Sequence, residues 1–417
     1  MSEEGVEQKY IKEAFDTNWV VPMGPNVNGF EEDLKAFTGR EKEVVALCSG
    51  TAAVHLALIA CGVGPGDEVC VQSFTFCASS HPIKYLGAVP VFIDSEGDSW
   101  NMDPELLETA IKDRIARTGR KPKAIIPVAL YGMPYRIDRI MAVAEKYDIP
   151  VIEDAAEGFG SRFEDKVLGT FGKYGVLSFN GNKMITTSGG GALICPDPCE
   201  AEKVKWYATQ AREGYPYYQH MEIGYNYRLS NVCAGIGRGQ MTVAEAHISH
   251  HRHIADMYET LFSNVPGITF HRGPEWASAG SNYWLNTIVI DPSVRIEGQD
   301  EAYKTKVQGA VGGAAGVVHT ADCPTTDCQP NDNVEALRVV LDKAGIEARP
   351  VWKPMHKQPV YAGAPAYLNS CNLFGKEEAS VSEAVFKVGM CLPSGPCVTD
   401  DNVRYIVKTI TEAIVNE

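Results

Sequence analysis

Two spacings of apolar residues divide this chain. Residues 6–19 read as an amphipathic helix, and residues 27–38 return to that period with Phe30, Leu34 and Phe37 spaced by four and three. Between them Pro22-Met23-Gly24-Pro25-Asn26 predicts a loop. From residue 43 short apolar runs of strand length alternate with helical stretches. Strands are expected at 43–47, 68–72, 89–93, 124–128 and 151–153, and helices at 52–61, 78–86, 104–117 and 137–146. That alternation predicts a mostly parallel sheet with helices on both faces. Further strands are expected at 176–179 and 192–195. After them a long helical pattern covers 230–261, then strands at 284–290 and 348–351, and a terminal helix from Thr399. The expected division is a large domain, residues 1–255, and a smaller C-terminal α/β domain, residues 256–417. The segment near 298–333, rich in glycine and alanine, reads as an insertion.

A chain of 417 residues can bury a core of that size. Its net charge of −15, with no run of lysine or arginine, argues against nucleic-acid binding. No apolar stretch reaches the roughly 18 residues of a membrane span, and the acidic start Met1-Ser2-Glu3-Glu4 lacks the features of a signal peptide. The expected location is therefore cytoplasmic, with no membrane association. The twelve cysteines then read as small hydrophobes and not as a disulfide framework.

Chemistry concentrates in one stretch. Ser178-Phe179-Asn180-Gly181-Asn182-Lys183 follows an apolar strand and runs into Gly189-Gly190-Gly191. Glycines beside a lysine suit a backbone that must approach a flat group closely. Upstream, Val151-Ile152-Glu153-Asp154-Ala155-Ala156-Glu157 ends a strand in acids, and Ser49-Gly50-Thr51-Ala52 stands at a strand-to-helix turn. An amine, a carboxylate and a phosphate cradle are the three requirements of a pyridoxal 5′-phosphate enzyme. Taken singly each has a plainer reading: Lys183 as a strand-end lysine, Asp154 as a helix cap, Ser-Gly-Thr as another cap.

The ordered set, Ser-Gly-Thr-Ala, Gly-Asp-Glu-Val, Glu-Asp-Ala-Ala and Ser-Phe-x-x-x-Lys, resembles the DegT/DnrJ/StrS family of sugar aminotransferases. The likeness runs from about Trp19 to near the C-terminus, interrupted around 298–333. It implies the pyridoxal-phosphate fold type I, a large domain on a mostly parallel sheet with a smaller domain beside it. It also implies a Schiff-base role for Lys183, an ion pair of Asp154 with the pyridine nitrogen, and phosphate contacts from Gly50, Thr51, Ala52, Ser178 and Asn180. Phe76 matches a position that stacks on the cofactor ring, with a core aromatic as the alternative. Glu157 stands where glutamine is commoner, near the cofactor's 3′-oxygen. A carboxylate beside a phenolate is repulsive unless one of them holds a proton.

The resemblance further implies that Arg228, in Gly224-Tyr225-Asn226-Tyr227-Arg228, reaches cofactor or substrate phosphate across a homodimer with shared active sites. It implies that Lys353 and His356, in Trp352-Lys353-Pro354-Met355-His356, meet a nucleotide-linked sugar. The expected reaction moves an amino group from glutamate to a nucleotide-linked keto-sugar, a UDP-4-keto-6-deoxy-N-acetylhexosamine in particular, for polysaccharide or glycan synthesis. A dehydratase of the same fold is the nearer alternative, disfavoured because Lys183 is not histidine, and a non-catalytic regulator that keeps the cofactor is the farther one. No metal is expected. His247, His250, His251 and His253 lack a His-Glu-x-x-His pattern, and Cys323, Cys328 and His319 form one loose set.

Overall fold

The computed structural model describes residues 1–2, 4–303, 328–378 and 380–415. Cys323, His319 and most of the expected insertion lie outside the described residues. One continuous sheet dominates. Its strands run in the order Glu43–Leu47, Gly191–Cys195, Tyr174–Ser178, Ile152–Asp154, Ala124–Ile126, Glu68–Gln72, Val89–Ile93 and Ala366–Tyr367. Parallel bridges from Ile125 to Val151 and from Val128 to Asp154 join its two halves. Gly191–Cys195 alone among these strands runs opposite to the rest. All but the edge strand Ala366–Tyr367 are buried over nearly their whole length, which is why they read as apolar runs and not as alternating patterns. This is the α/β architecture of fold type I.

A second sheet is antiparallel throughout. Its order is Ile268–Phe270, Asn286–Ile290, Gly389–Leu392 and Arg349–Pro350. The helix Ala244–Phe262 serves both regions. Ala244 and Ile248 pack into the large core, whereas Ile254, Ala255, Tyr258 and Phe262 pack under the second sheet.

Several boundaries differ from the sequence reading. The loop expected at residues 22–26 ends early, because Pro25 opens the helix Pro25–Phe37, a position where its missing N–H costs nothing. The pattern at 230–261 is two helices, Asn231–Met241 and Ala244–Phe262. Thr242 folds its hydroxyl back to Gly239 O at 2.6 Å, and Val243 leaves helical geometry. The terminal helix Asp400–Glu412 starts where expected, with Thr399 and Asn402 exchanging cap hydrogen bonds.

The strand Ile152–Asp154 carries two adjacent acids to opposite faces of the sheet. Glu153 is fully buried and accepts from Tyr135 Oη at 2.6 Å, Gly169 N at 3.0 Å, Phe171 N at 2.7 Å and Gly172 N at 2.5 Å. It ties the strand to the turn that leads into Tyr174–Ser178. Glu153→Ala would strand three buried amides, so it should lower unfolding free energy in urea by roughly 3–5 kcal/mol. A loss below about 1 kcal/mol would show that the carboxylate does not hold this turn.

Candidate active site

A cavity of about 690 Å³ opens at the C-terminal ends of the parallel strands, between the large sheet and the edge of the second one. Its wall includes Gly50, Thr51, Phe76, Asp154, Glu157, Ser178, Asn180 and Lys183. Eight of the residues singled out in the sequence thus meet in one space, although they span more than a hundred positions.

The helix Gly50–Ala60 points its N-terminus at the cavity. Ser49 caps it, accepting from Ala52 N at 3.0 Å. The Ala52 amide is therefore taken, and Ala52 is not among the lining residues. The amides of Gly50 and Thr51 come earlier in the first turn, where no intrahelical acceptor exists. With the Ser178 hydroxyl across from them, they leave a place that a phosphate would fit. Gly191 explains part of the glycine run. A Cβ there would lie 2.4 Å from Gly50 N, so the returning strand can cross the helix start only without a side chain. At Gly191 the close approach is of chain to chain, and not of chain to cofactor as the sequence reading expected.

Asp154 is 4% exposed. Its Oδ2 accepts from Ser79 Oγ at 2.6 Å and its Oδ1 from Ala156 N at 3.2 Å. Burial pushes its pKa up, against the pull of those hydrogen bonds and of Lys183. Glu157, 3% exposed, accepts from Tyr131 N at 2.7 Å, and burial raises its pKa to about 7. Lys183 Nζ lies 3.6 Å from Glu157 Oε1 and 4.0 Å from the centre of the Trp284 ring. Trp284 in turn donates from Nε1 to Asn182 O at 2.7 Å. The lysine amine is thus clamped between a carboxylate and an indole face.

Phe76 is 52% exposed and sits 5.6 Å from the Trp352 ring, which makes it a cavity aromatic and not a core one. Three expected contact residues do not line the cavity of their own chain; for Arg228 the expected contact is with the site of a second copy. Arg228 donates to Glu31 Oε1 at 2.7 Å and to Ala46 O at 3.0 Å, within its own chain. Lys353 donates to Cys328 O at 2.9 Å. His356 lies 2.6 Å from Ser73 Oγ and 3.0 Å from Glu383 Oε1. None of the three lines the cavity. Arg349 does, paired at 2.7 Å with the exposed Glu347. Ser79, Trp284 and Arg349 were missed as site residues, because single serines, tryptophans and arginines carry no signal until the chain folds. His247 and His251 face the carbonyls of Met184 and Tyr283, and His253 faces Asp400.

The residues present fit pyridoxal 5′-phosphate. A helix N-terminus faces the cavity, the buried Asp154 has no cation within 4.0 Å among the described residues, and an amine stands within the same cavity. The chain matches the DegT/DnrJ/EryC1/StrS aminotransferase family over residues 2–312 and 301–411. It is 42% identical over 406 residues to EpsN of Bacillus subtilis (strain 168), which carries the name of a pyridoxal phosphate-dependent aminotransferase, covering 97% of this chain and 92% of that one. It is 32% identical over 408 residues to a GDP-perosamine synthase of Escherichia coli O157:H7, with 98% and 95% covered. A DegT/DnrJ/EryC1/StrS aminotransferase from Brucella abortus has the same fold, with a TM-score of 0.79, 27% identity and coverage of 98% and 95%. The chain is a member of the DegT/DnrJ/EryC1/StrS aminotransferase family, whose cofactor is pyridoxal 5′-phosphate.

Proposed function

We propose that the enzyme moves an amino group from glutamate to a nucleotide-linked keto-sugar, with a UDP-4-keto-6-deoxy-N-acetylhexosamine as the first candidate acceptor. The observation that carries this reading is the convergence of Lys183, Asp154 and Glu157 on one cavity with a helix N-terminus. Relatives support the sugar acceptor. One is named a GDP-perosamine synthase. Another, from Pseudomonas aeruginosa, is named a UDP-2-acetamido-2-deoxy-3-oxo-D-glucuronate aminotransferase and is 36% identical over 244 residues.

When bound, pyridoxal phosphate supplies a carbonyl that captures amines and a ring that withdraws electrons. The chain's own residues supply the rest. Gly50, Thr51 and Ser178 would hold the phosphate, and Asp154, kept in place by Ser79, would favour a proton on the ring nitrogen. Lys183 would hold the cofactor's carbonyl carbon and would move a proton at the substrate carbon. The Glu157–Trp284 clamp gives the lysine amine a fixed position. Arg349 is the cavity cation suited to a substrate phosphate or carboxylate, in the role first expected of Lys353 and His356. A homodimer with shared sites belongs to the same proposal. Tyr217, Tyr218, Met221 and Ile223, interspersed with Gln219, His220 and Glu222, are exposed large apolar side chains suited to a second copy.

Incubation with glutamate and a panel of UDP-, GDP- and dTDP-keto-sugars should release 2-oxoglutarate and an amino-sugar nucleotide seen by mass spectrometry. Lys183→Ala should release neither. An enzyme that turns over only free amino acids and keto acids sinks the nucleotide-sugar reading.

Sedimentation of the wild type should give a dimer, and Ile223→Asp should weaken it at least tenfold. An unchanged association would remove that segment from the interface.

Glu157 makes stability depend on pH. Its folded pKa, about 7, lies above its ordinary value of 4.5, so the folded chain binds the extra proton between these values. Stability from this group is greatest below pH 4.5 and is lost as pH rises toward 7, by roughly 3 kcal/mol. In cofactor-free protein, Glu157→Gln should flatten the urea-unfolding difference between pH 5 and pH 7.5 by an amount of that order. The same slope in both proteins would mean that Glu157 keeps its charge when buried.

A further inference from the structure

A second cavity, of about 520 Å³, lies away from the active-site wall and gathers arginines. The chain has sixteen arginines, and twelve of them pair with a carboxylate within 4.0 Å. Among the described residues that leaves Arg136, Arg162, Arg212 and Arg252. Three of those four, Arg136, Arg162 and Arg252, line this one cavity. A chain of net charge −15 has acids to spare, so three guanidiniums left together with no carboxylate within 4.0 Å are unusual, although Glu96 acts on Arg136 from farther off.

Each is held in place by something other than an acid. Arg136 lies over the Trp276 ring at 4.1 Å. Arg252 Nε donates to Ser281 O at 2.8 Å, and Arg162 Nη1 to Asp165 O at 2.8 Å. A guanidinium has five N–H donors, so most of theirs stay unspent. Asp138, Glu164 and Glu245 also border the cavity, but all three are exposed and none comes within ion-pair distance of these arginines. The walls come from both regions of the molecule. Arg162 and Phe163 belong to the large core's side, Arg252 to the helix Ala244–Phe262, and Trp276 to the segment leading into the second sheet.

We propose that this cavity is a binding site for a phosphate group, held by the forks of Arg136, Arg162 and Arg252. Guanidinium matches phosphate oxygens bidentately. Phe163 and Trp276, 6.0 Å apart edge to face, give an ester of that phosphate an apolar wall. The site is separate from the amino-transfer cavity and shares no lining residue with it.

The test is isothermal titration of the cofactor-loaded enzyme with inorganic phosphate and, in a second arm, phenyl phosphate. Both should bind. Tighter binding of phenyl phosphate assigns an aromatic or nucleoside ester, and equal binding assigns the inorganic anion. The double variant Arg136→Gln, Arg162→Gln should weaken binding at least tenfold while its melting temperature stays near wild type. Arg349→Gln, in the other cavity, should leave the same titration unchanged. Wild-type binding by the double variant, or its loss in Arg349→Gln, overturns the assignment. So does a double variant that sediments as a smaller species, since the arginines would then serve a subunit contact.

Discussion

Two buried carboxylates share one ammonium, and the site follows from that imbalance. Asp154 and Glu157 are both almost wholly removed from water, and Lys183 is the cation beside them. A buried carboxylate without a counter-charge costs several kcal/mol. Hydrogen bonds from Ser79, Ala156 N and Tyr131 N offset part of that cost but supply no charge. The remainder can be met by protonation or by a cationic ligand. Glu157 takes the first route near neutrality. Asp154 is suited to the second, because a ring nitrogen that gains a proton brings the missing positive charge. Binding that relieves buried charge also stabilises the fold, so the cofactor belongs to the energetics of this core as well as to its chemistry.

The architecture exists to hold those acids still. Glu153, one residue before Asp154, sits on the other side of the strand among three amides and a phenol, and anchors it from behind. The antiparallel strand Gly191–Cys195 closes the site from the other direction, passing the start of the helix Gly50–Ala60 at a distance only glycine permits. The phosphate seat and the lysine turn are therefore set against each other by backbone packing and do not depend on flexible side chains.

Which parts could be read from the sequence follows from this division. Strand ends and helix starts announce themselves locally: an apolar run ending in Glu153-Asp154, a Ser-Gly-Thr cap, a lysine before glycines. Those residues converge as their order implied. Side chains chosen by distant partners gave no such signal. Arg228 is taken by Glu31, 197 positions away, and His356 by Ser73, 283 positions away. His356 read as a cavity residue because its chemistry suits phosphate, yet it meets a nearer partner inside the fold, and Arg228, expected at the site of a second copy, is tied to Glu31 of its own chain. Trp284 and Arg349 went unread for the converse reason, since nothing in their own neighbourhoods marks the cavity they reach. Helix ends failed by a few residues wherever one side chain decided, as at Pro25 and Thr242.

The charge around the cavity constrains what completes it. Its lining includes two cations, Lys183 and Arg349, against Asp154, Glu157 and Glu347. A cofactor phosphate adds further negative charge, and a dicarboxylic donor or a diphosphate-linked sugar adds roughly two more. Such an anion entering a protein of net charge −15 meets repulsion unless cations gather at the mouth. Glu347 holds one fork of Arg349 at 2.7 Å but is itself exposed, so solvent screens that pair and the arginine can exchange its partner for a substrate oxygen. One exchangeable arginine would be a thin provision for the two anionic substrates of the proposed reaction, which would use the same space in turn. The deficit is the physical reason to look for further cations on a second copy of the chain, in the homodimer proposed above.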